Sequence, residues 1–104
     1  MNNCSQKNQQ HRNAFRTMLN HQVRLLFLDD AENIETFANC RDVSECGLAL
    51  EVEHPVETGQ RLRVHFEWQE ENPLSISDCE GIVLRCTPES NELYLLAVKI
   101  TDYL

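Results

Sequence analysis

The residues best suited to binding chemistry in this sequence are two arginines near its N-terminus, Arg12 and Arg16. They form an R-x-x-x-R pattern just upstream of the first predicted strand. An arginine guanidinium is planar, permanently charged and able to donate two parallel hydrogen bonds to one acceptor group. Two such side chains at this spacing could close on one planar, anionic ligand. The alternative is that both are solvated side chains of a frayed N-terminal turn.

A second polar cluster, with the pattern D-x-S-x-x-G, lies at a predicted strand corner. Its members are Asp42, Ser44 and Gly47. The Asp and Ser side chains offer hydrogen bonds to a ligand, and a glycine at such a corner allows a positive φ or a close backbone approach. Alternatively, Asp42 and Ser44 only cap a β-turn through local backbone hydrogen bonds. Arg41 is expected on the opposite face of the strand from Asp42, because successive side chains alternate.

Signatures of catalysis are weak in this chain. The four histidines stand apart from one another, and no glycine-rich phosphate loop is present. A four-thiolate zinc site is conceivable from two cysteine pairs, but zinc motifs place two to four residues between paired ligands, and these pairs are more widely spaced. The pairs are Cys40 with Cys46 and Cys79 with Cys86. An odd total of five cysteines without a secretory signal predicts free thiols that pack as small apolar side chains.

The charge distribution argues against nucleic-acid binding. The net charge is −8, and all 17 acidic residues lie at or after Asp29. Residues 1–28 contain four of the nine basic residues and no acidic ones. A cationic N-terminal segment on an acidic body repels a polyphosphate backbone over most of its surface, while an arginine pair can still hold a small anion. A nucleotide therefore fits better than a nucleic acid.

Hydrophobic periodicity predicts six short strands that would position these two clusters. The clearest has Leu62, Val64, Phe66 and Trp68 on one face and polar residues on the other. Turn residues separate the six, including an expected turn at 87–91, and Gly81 is expected at a bulge or bend. The predicted strands span residues 18–28, 34–43, 48–52, 61–68, 74–86 and 93–100. With no convincing helix, the pattern indicates a small antiparallel barrel or sandwich.

The chain of 104 residues has room for one domain. Residues 1–11 are Asn/Gln-rich without a hydrophobic period, so we expect a flexible N-terminal arm there and a folded domain over residues 12–104. No apolar run approaches the roughly 18 residues of a spanning helix, and the N-terminus lacks the apolar stretch of a signal peptide. A soluble, cytoplasmic protein without membrane insertion is expected.

Taken together, both motifs and the strand pattern resemble the PilZ domain family. The family pattern is R-x-x-x-R in a flexible N-terminal segment, followed about a strand pair later by (D/N)-x-S-x-x-G. The runs 81–85 and 94–100 also look like the family's closing strands, although Ala97 stands where a glycine is common. Many members add a C-terminal helix, whereas little or no such helix is expected here.

The resemblance implies a six-stranded antiparallel β-barrel that acts as a receptor for the bacterial second messenger cyclic di-GMP. The implied ligand-binding residues are Arg12, Arg16, Asp42, Ser44 and Gly47. Arginine can pair with a phosphate or with the O6/N7 edge of guanine and can stack on the base, while Asp42 can accept from guanine N1–H and N2–H₂. The implied protein has no cofactor other than this ligand and is not an enzyme.

Ordering of the N-terminal arm over the ligand would create a surface for an unidentified protein partner. Two alternatives remain open from sequence: a PilZ-like adaptor that binds no nucleotide and acts only by protein contact, and a thiol-dependent or metal enzyme. The oligomeric state is left open.

Overall fold

The fold is a closed antiparallel barrel of six strands. The computed structural model describes residues 17–31, 34–67 and 78–104. The strands are β1 (Thr17–Phe27), β2 (Glu35–Val43), β3 (Gly47–Val52), β4 (Arg61–Phe66), β5 (Cys79–Ser90) and β6 (Leu93–Tyr103). They close in the order β1-β2-β3-β6-β5-β4, and each neighbouring pair is antiparallel. The predicted all-β barrel is confirmed, and closure decides against the sandwich. The described residues contain no helix of the length and apolar character needed to span a membrane.

Alternation along the strands fills the barrel with apolar side chains. In β4, Leu62, Val64 and Phe66 are buried while Arg61 and Arg63 are exposed. The same period of two in the other strands builds one continuous core. Pairing of β1 with β4 closes the sheet, so no strand is left with an unpaired edge.

The β4–β5 connection differs from the prediction at both ends. The predicted fourth strand extends to Trp68, but β4 ends at Phe66 and Glu67 is not in a strand. The predicted fifth strand begins at residue 74, but Asp78 is still outside β5. Asp78 explains this boundary, since its carboxylate accepts hydrogen bonds from the Phe66 N–H at 3.2 Å and from His65 Nδ1 at 2.7 Å. A side chain thus replaces the next step of the strand ladder. Trp68 and residues 74–77 lie outside the described residues.

The turn predicted at 87–91 is wrong, because β5 continues to Ser90. Pro88 and Ser90 are typical turn residues, yet Pro88 pairs with Tyr94 and Ser90 with Leu93 in the β5–β6 ladder. A register irregularity lies between Pro88 and Ser90, where a proline is tolerated in a strand. The turn is only Asn91 and Glu92, and Glu92 has a positive φ of 67°.

The cysteines serve mainly as core residues. Cys40 and Cys79 are buried, Cys86 is half-buried, and all three are free. Cys46 is disulfide-bonded, so the expectation of five free thiols is wrong at that position. Burial raises the pKa of the Cys40 thiol to about 12 and that of Cys79 to about 11. Both thiols are therefore neutral at pH 7. The described residues contain no group of three or more His, Cys, Asp or Glu side chains placed to hold a metal ion.

The predicted bulge or bend at Gly81 is confirmed by a register shift between Glu80 and Gly81. A Cβ at Gly81 would lie 2.6 Å from the Lys99 carbonyl oxygen and 2.6 Å from Val98 Cγ1. Gly59 differs, because it has a φ of +87° but open space around its Cα. Gly81 is thus required for close approach of β5 to β6, and Gly59 for backbone conformation.

We expect Gly81→Ala to lower the free energy of unfolding by about 1–3 kcal/mol, because the added methyl must displace backbone atoms. Gly59→Ala should cost about 1–2 kcal/mol through its left-handed φ alone. Urea denaturation of both variants measures these losses. Unchanged stability of Gly81→Ala would contradict the close β5–β6 approach.

Candidate functional site

A β-bulge in β2 determines which way Asp42 faces. Cys40 pairs with Leu50 of β3, but Asp42 pairs with the next β3 residue, Ala49, so that Arg41 is an extra residue. In a regular strand Asp42 would face inward as Cys40 does, because residues two positions apart lie on the same face. The extra residue instead sets Asp42 opposite Ala49, which lies between the buried Leu48 and Leu50 and therefore faces outward. A half-buried carboxylate is thereby brought to the outer surface of the barrel.

Arg41 also lies on the outer surface, so its predicted position on the face opposite Asp42 is wrong. The physical reason is the bulge, which interrupts the alternation that the prediction assumed. The Arg41 guanidinium contacts the Glu89 carboxylate at 2.7 Å and the Glu51 carboxylate at 3.2 Å. The hydrogen bond to Glu89 is the main reason why the pKa of Arg41 is raised. Arg41 is thus ion-paired with two carboxylates.

The turn after Asp42 is closed by Ser44. Its N–H donates to the Gly47 carbonyl at 2.9 Å, and its hydroxyl oxygen accepts from the N–H groups of Gly47 at 3.2 Å and Cys46 at 3.4 Å. These are the local backbone hydrogen bonds of the turn-capping interpretation. Ser44 is half-buried, and these hydrogen bonds close its turn within the protein itself.

Gly47 is required because the backbone of β6 lies close to it. A Cβ at Gly47 would stand 2.8 Å from the Val98 carbonyl oxygen. The only described glycine with positive φ is Gly59, so of the two expectations for Gly47 the close approach applies. The turn is fixed to β6 by two hydrogen bonds to backbone carbonyl oxygens. The Ile100 N–H donates to the Cys46 carbonyl at 2.9 Å, and the Tyr103 hydroxyl donates to the Glu45 carbonyl at 3.0 Å.

Asp42 begins a row of outward-facing residues that crosses four strands. Asp42 of β2 pairs with Ala49 of β3, Ala49 with Ala97 of β6, and Ala97 with Arg85 of β5. Two methyl groups therefore separate an acidic residue from a basic one. Ala49 and Arg85 were not singled out from the sequence, because the pairing of β3 with β6 joins segments far apart in the chain and no local pattern specifies that register.

The two arginines of the R-x-x-x-R pattern, Arg12 and Arg16, lie outside the described residues. Thr17, which directly follows Arg16, is the first residue that the structure describes. Thr17 pairs with Val43 and Met18 pairs with Asp42. The first described residues after the arginine pair are therefore beside the D-x-S-x-x-G turn.

The fold and the turn together define a small closed antiparallel barrel with a polar motif at its β2–β3 corner. The family model of the PilZ domain matches residues 10–103. The chain belongs to the PilZ domain family. No curated protein sequence matches it significantly.

A solved structure of the same fold is that of the Bacillus subtilis inhibitor of motility (MotI/DgrA). The similarity has a TM-score of 0.66 with 17% sequence identity, and it covers 86% of this chain. It covers 42% of the motility inhibitor, so the chain spans less than half of that protein's length. At this identity the likeness shows a common barrel fold.

We expect Ser44→Ala to destabilise the ligand-free protein by about 1 kcal/mol, because two N–H groups of a half-buried turn lose their acceptor. Ser90→Ala, at the exposed end of β5, is the matched control and should change the free energy of unfolding by less than about 0.5 kcal/mol. Denaturant titration measures both. Equal stability of the two variants would contradict the structural role of the Ser44 hydroxyl.

Proposed function

We propose that this chain is a receptor for cyclic di-GMP that signals without catalysis. The observation that carries the proposal is the outward position of Asp42, beside the start of β1 that follows Arg12 and Arg16 in the sequence. Membership of the PilZ domain family supports the same ligand. The proposed binding residues are Arg12, Arg16, Asp42, Ser44 and Gly47.

The proposed ligand matches the chemistry of these groups. Asp42 offers a carboxylate to guanine N1–H and N2–H₂, the donor edge that adenine lacks. Arg12 and Arg16 pair with a phosphate or with guanine O6/N7 and stack on the base plane. Arg16 directly precedes Thr17 in the sequence, and Thr17 pairs with Val43 at the end of β2. The Gly47 N–H donates a hydrogen bond to the Ser44 hydroxyl oxygen and so stabilises the turn, in which Ser44 is half-buried.

Ligand binding is proposed to act through the N-terminal residues. Residues 1–11 form the arm and residues 12–104 the domain; the segment with Arg12 and Arg16 folds over the bound ligand. This ordering creates a surface that a protein partner recognises. The cell compartment that fits this second messenger is the bacterial cytoplasm. The acidic body disfavours nucleic acid as a rival ligand.

Isothermal titration calorimetry with cyclic di-GMP tests the proposal directly, and selectivity tests the role of Asp42. Cyclic di-AMP should bind roughly ten- to hundredfold more weakly, because a carboxylate without a matching donor costs about 1–3 kcal/mol. Equal binding of the two dinucleotides would contradict the role of Asp42. No heat and no thermal shift with either would overturn the receptor proposal in favour of an adaptor that acts only by protein contact.

Arg16→Lys separates charge from geometry at the arginine pair. Lysine keeps the charge but loses the planar fork and the stacking face, so we expect a loss of about 1.5–3 kcal/mol in binding free energy. Binding by the wild type should weaken only modestly with salt, since a chain of net charge −8 must hold a dianion by short-range contacts.

Arg63→Lys is the matched control for this variant, because Arg63 lies in β4 and pairs with Glu80 at 2.8 Å. Calorimetry with both variants is compared with the melting temperature of the ligand-free proteins, which should be unchanged. If Arg16→Lys binds as wild type at low salt and both lose affinity steeply as salt rises, charge alone is sufficient and the fork argument fails.

A further inference from the structure

The described arginine and lysine side chains differ in whether they form an ion pair with a carboxylate. Four of them make ion pairs: Arg24 with Glu67 and Glu35, Arg41 with Glu51 and Glu89, Arg61 with Asp29, and Arg63 with Glu80. The other two, Arg85 and Lys99, have no carboxylate of residues 17–31, 34–67 or 78–104 within ion-pair distance. The charge of these two side chains is therefore available to an anionic ligand.

Of these two cations, Lys99 lies beside the D-x-S-x-x-G corner and Arg85 lies on the neighbouring strand. Lys99 pairs with Gly47, the last residue of the motif, and Arg85 pairs with Ala97. Ala97 and Lys99 are two apart in β6 and so share its outward face, and both basic side chains are exposed. Arg85 therefore lies on β5, next to the strand that contains Lys99. Arg85 is also the last residue of the row that begins at Asp42.

The separation suits a ligand larger than one base. Asp42 and Arg85 are three strands apart in the same row, which corresponds to about 14 Å between their backbones. Within the row only the methyl groups of Ala49 and Ala97 stand between Asp42 and Arg85. The Arg41–Glu89 ion pair, which also reaches from β2 to β5, borders the row. The Asp42 carboxylate at one end of the row, Arg85 at the other and Lys99 on the strand next to Arg85 match a ligand with hydrogen-bond donors at one end and an anionic group towards the other.

We propose that Arg85 and Lys99 form a second anion contact of the cyclic di-GMP site and bind the phosphate that is remote from Asp42. This inference rests on the proposed function. Cyclic di-GMP has two phosphates, and Arg12 with Arg16 would neutralise the first. Lysine binds phosphate as a point charge, and arginine adds a bidentate contact. Two further cations explain how a chain of net charge −8 retains a dianion.

The test is calorimetric titration of cyclic di-GMP into Arg85→Gln, Lys99→Gln and the double variant. Arg63→Gln is the control, because it removes the same charge from a side chain that pairs with Glu80 in the β4–β5 ladder. Each of the first two variants should weaken binding about tenfold, the double variant more than either, and Arg63→Gln less than about twofold. The double variant should also show a shallower dependence of affinity on salt.

Two further comparisons separate a binding role from other effects. The melting temperatures of ligand-free Arg85→Gln and Lys99→Gln should equal that of wild type, because neither side chain makes an ion pair in the described structure. If wild type binds cyclic di-GMP and both variants bind within twofold of Arg63→Gln, this inference is overturned and the receptor proposal stands. If wild type does not bind at all, both are overturned.

Discussion

The one residue inserted into β2 at Arg41 determines the chemistry that this barrel presents to solvent. A closed barrel has an apolar inside and a polar outside, so an insertion that shifts the strand by one position changes the face of each later residue. Before the insertion Cys40 faces the core opposite Leu50; after it Asp42 faces outward opposite Ala49. Without the insertion a carboxylate would enter a core of apolar side chains, at a large desolvation cost. The inserted residue therefore allows the polar motif to lie on the outer surface while the sheet remains closed.

Charge imposes a second constraint on the outer surface. Ion pairs on the outer surface occupy four described arginines, and exposed pairs of this kind add little stability each. Their larger effect is on the distribution of positive charge, because among the described residues they leave Arg85 and Lys99 without a carboxylate partner on the adjoining strands β5 and β6. Two unpaired cations on adjoining strands make the electrostatic potential locally more positive, whereas the net charge of −8 repels an extended polyanion.

The fold was predictable from sequence where the pattern is local. β4 has strict alternation, and its inward residues Leu62 and Val64 are fully buried. The D-x-S-x-x-G pattern likewise indicated a tight corner, and Ser44 caps it through bonds within four residues. What the sequence did not reveal depends on pairing between distant segments: the side-chain cap of β4 by Asp78, the continuation of β5 past Pro88 and the outward position of Arg41. Each is set by a neighbouring strand whose register no local pattern records.

β1 connects the barrel interior to the β2–β3 corner. β1 has its own irregularity between Met18 and His21, beside the bulge of β2. His21 faces the core, fully buried, with Nε2–H donating to the Glu67 carbonyl and its ring 5.9 Å from that of Phe66. The polar ring is thus fixed at the end of β4, and Met18 is set opposite Asp42 on the other side of the irregularity. The register of β1 on the two sides of its irregularity thus links the buried His21 to the residue that pairs with Asp42.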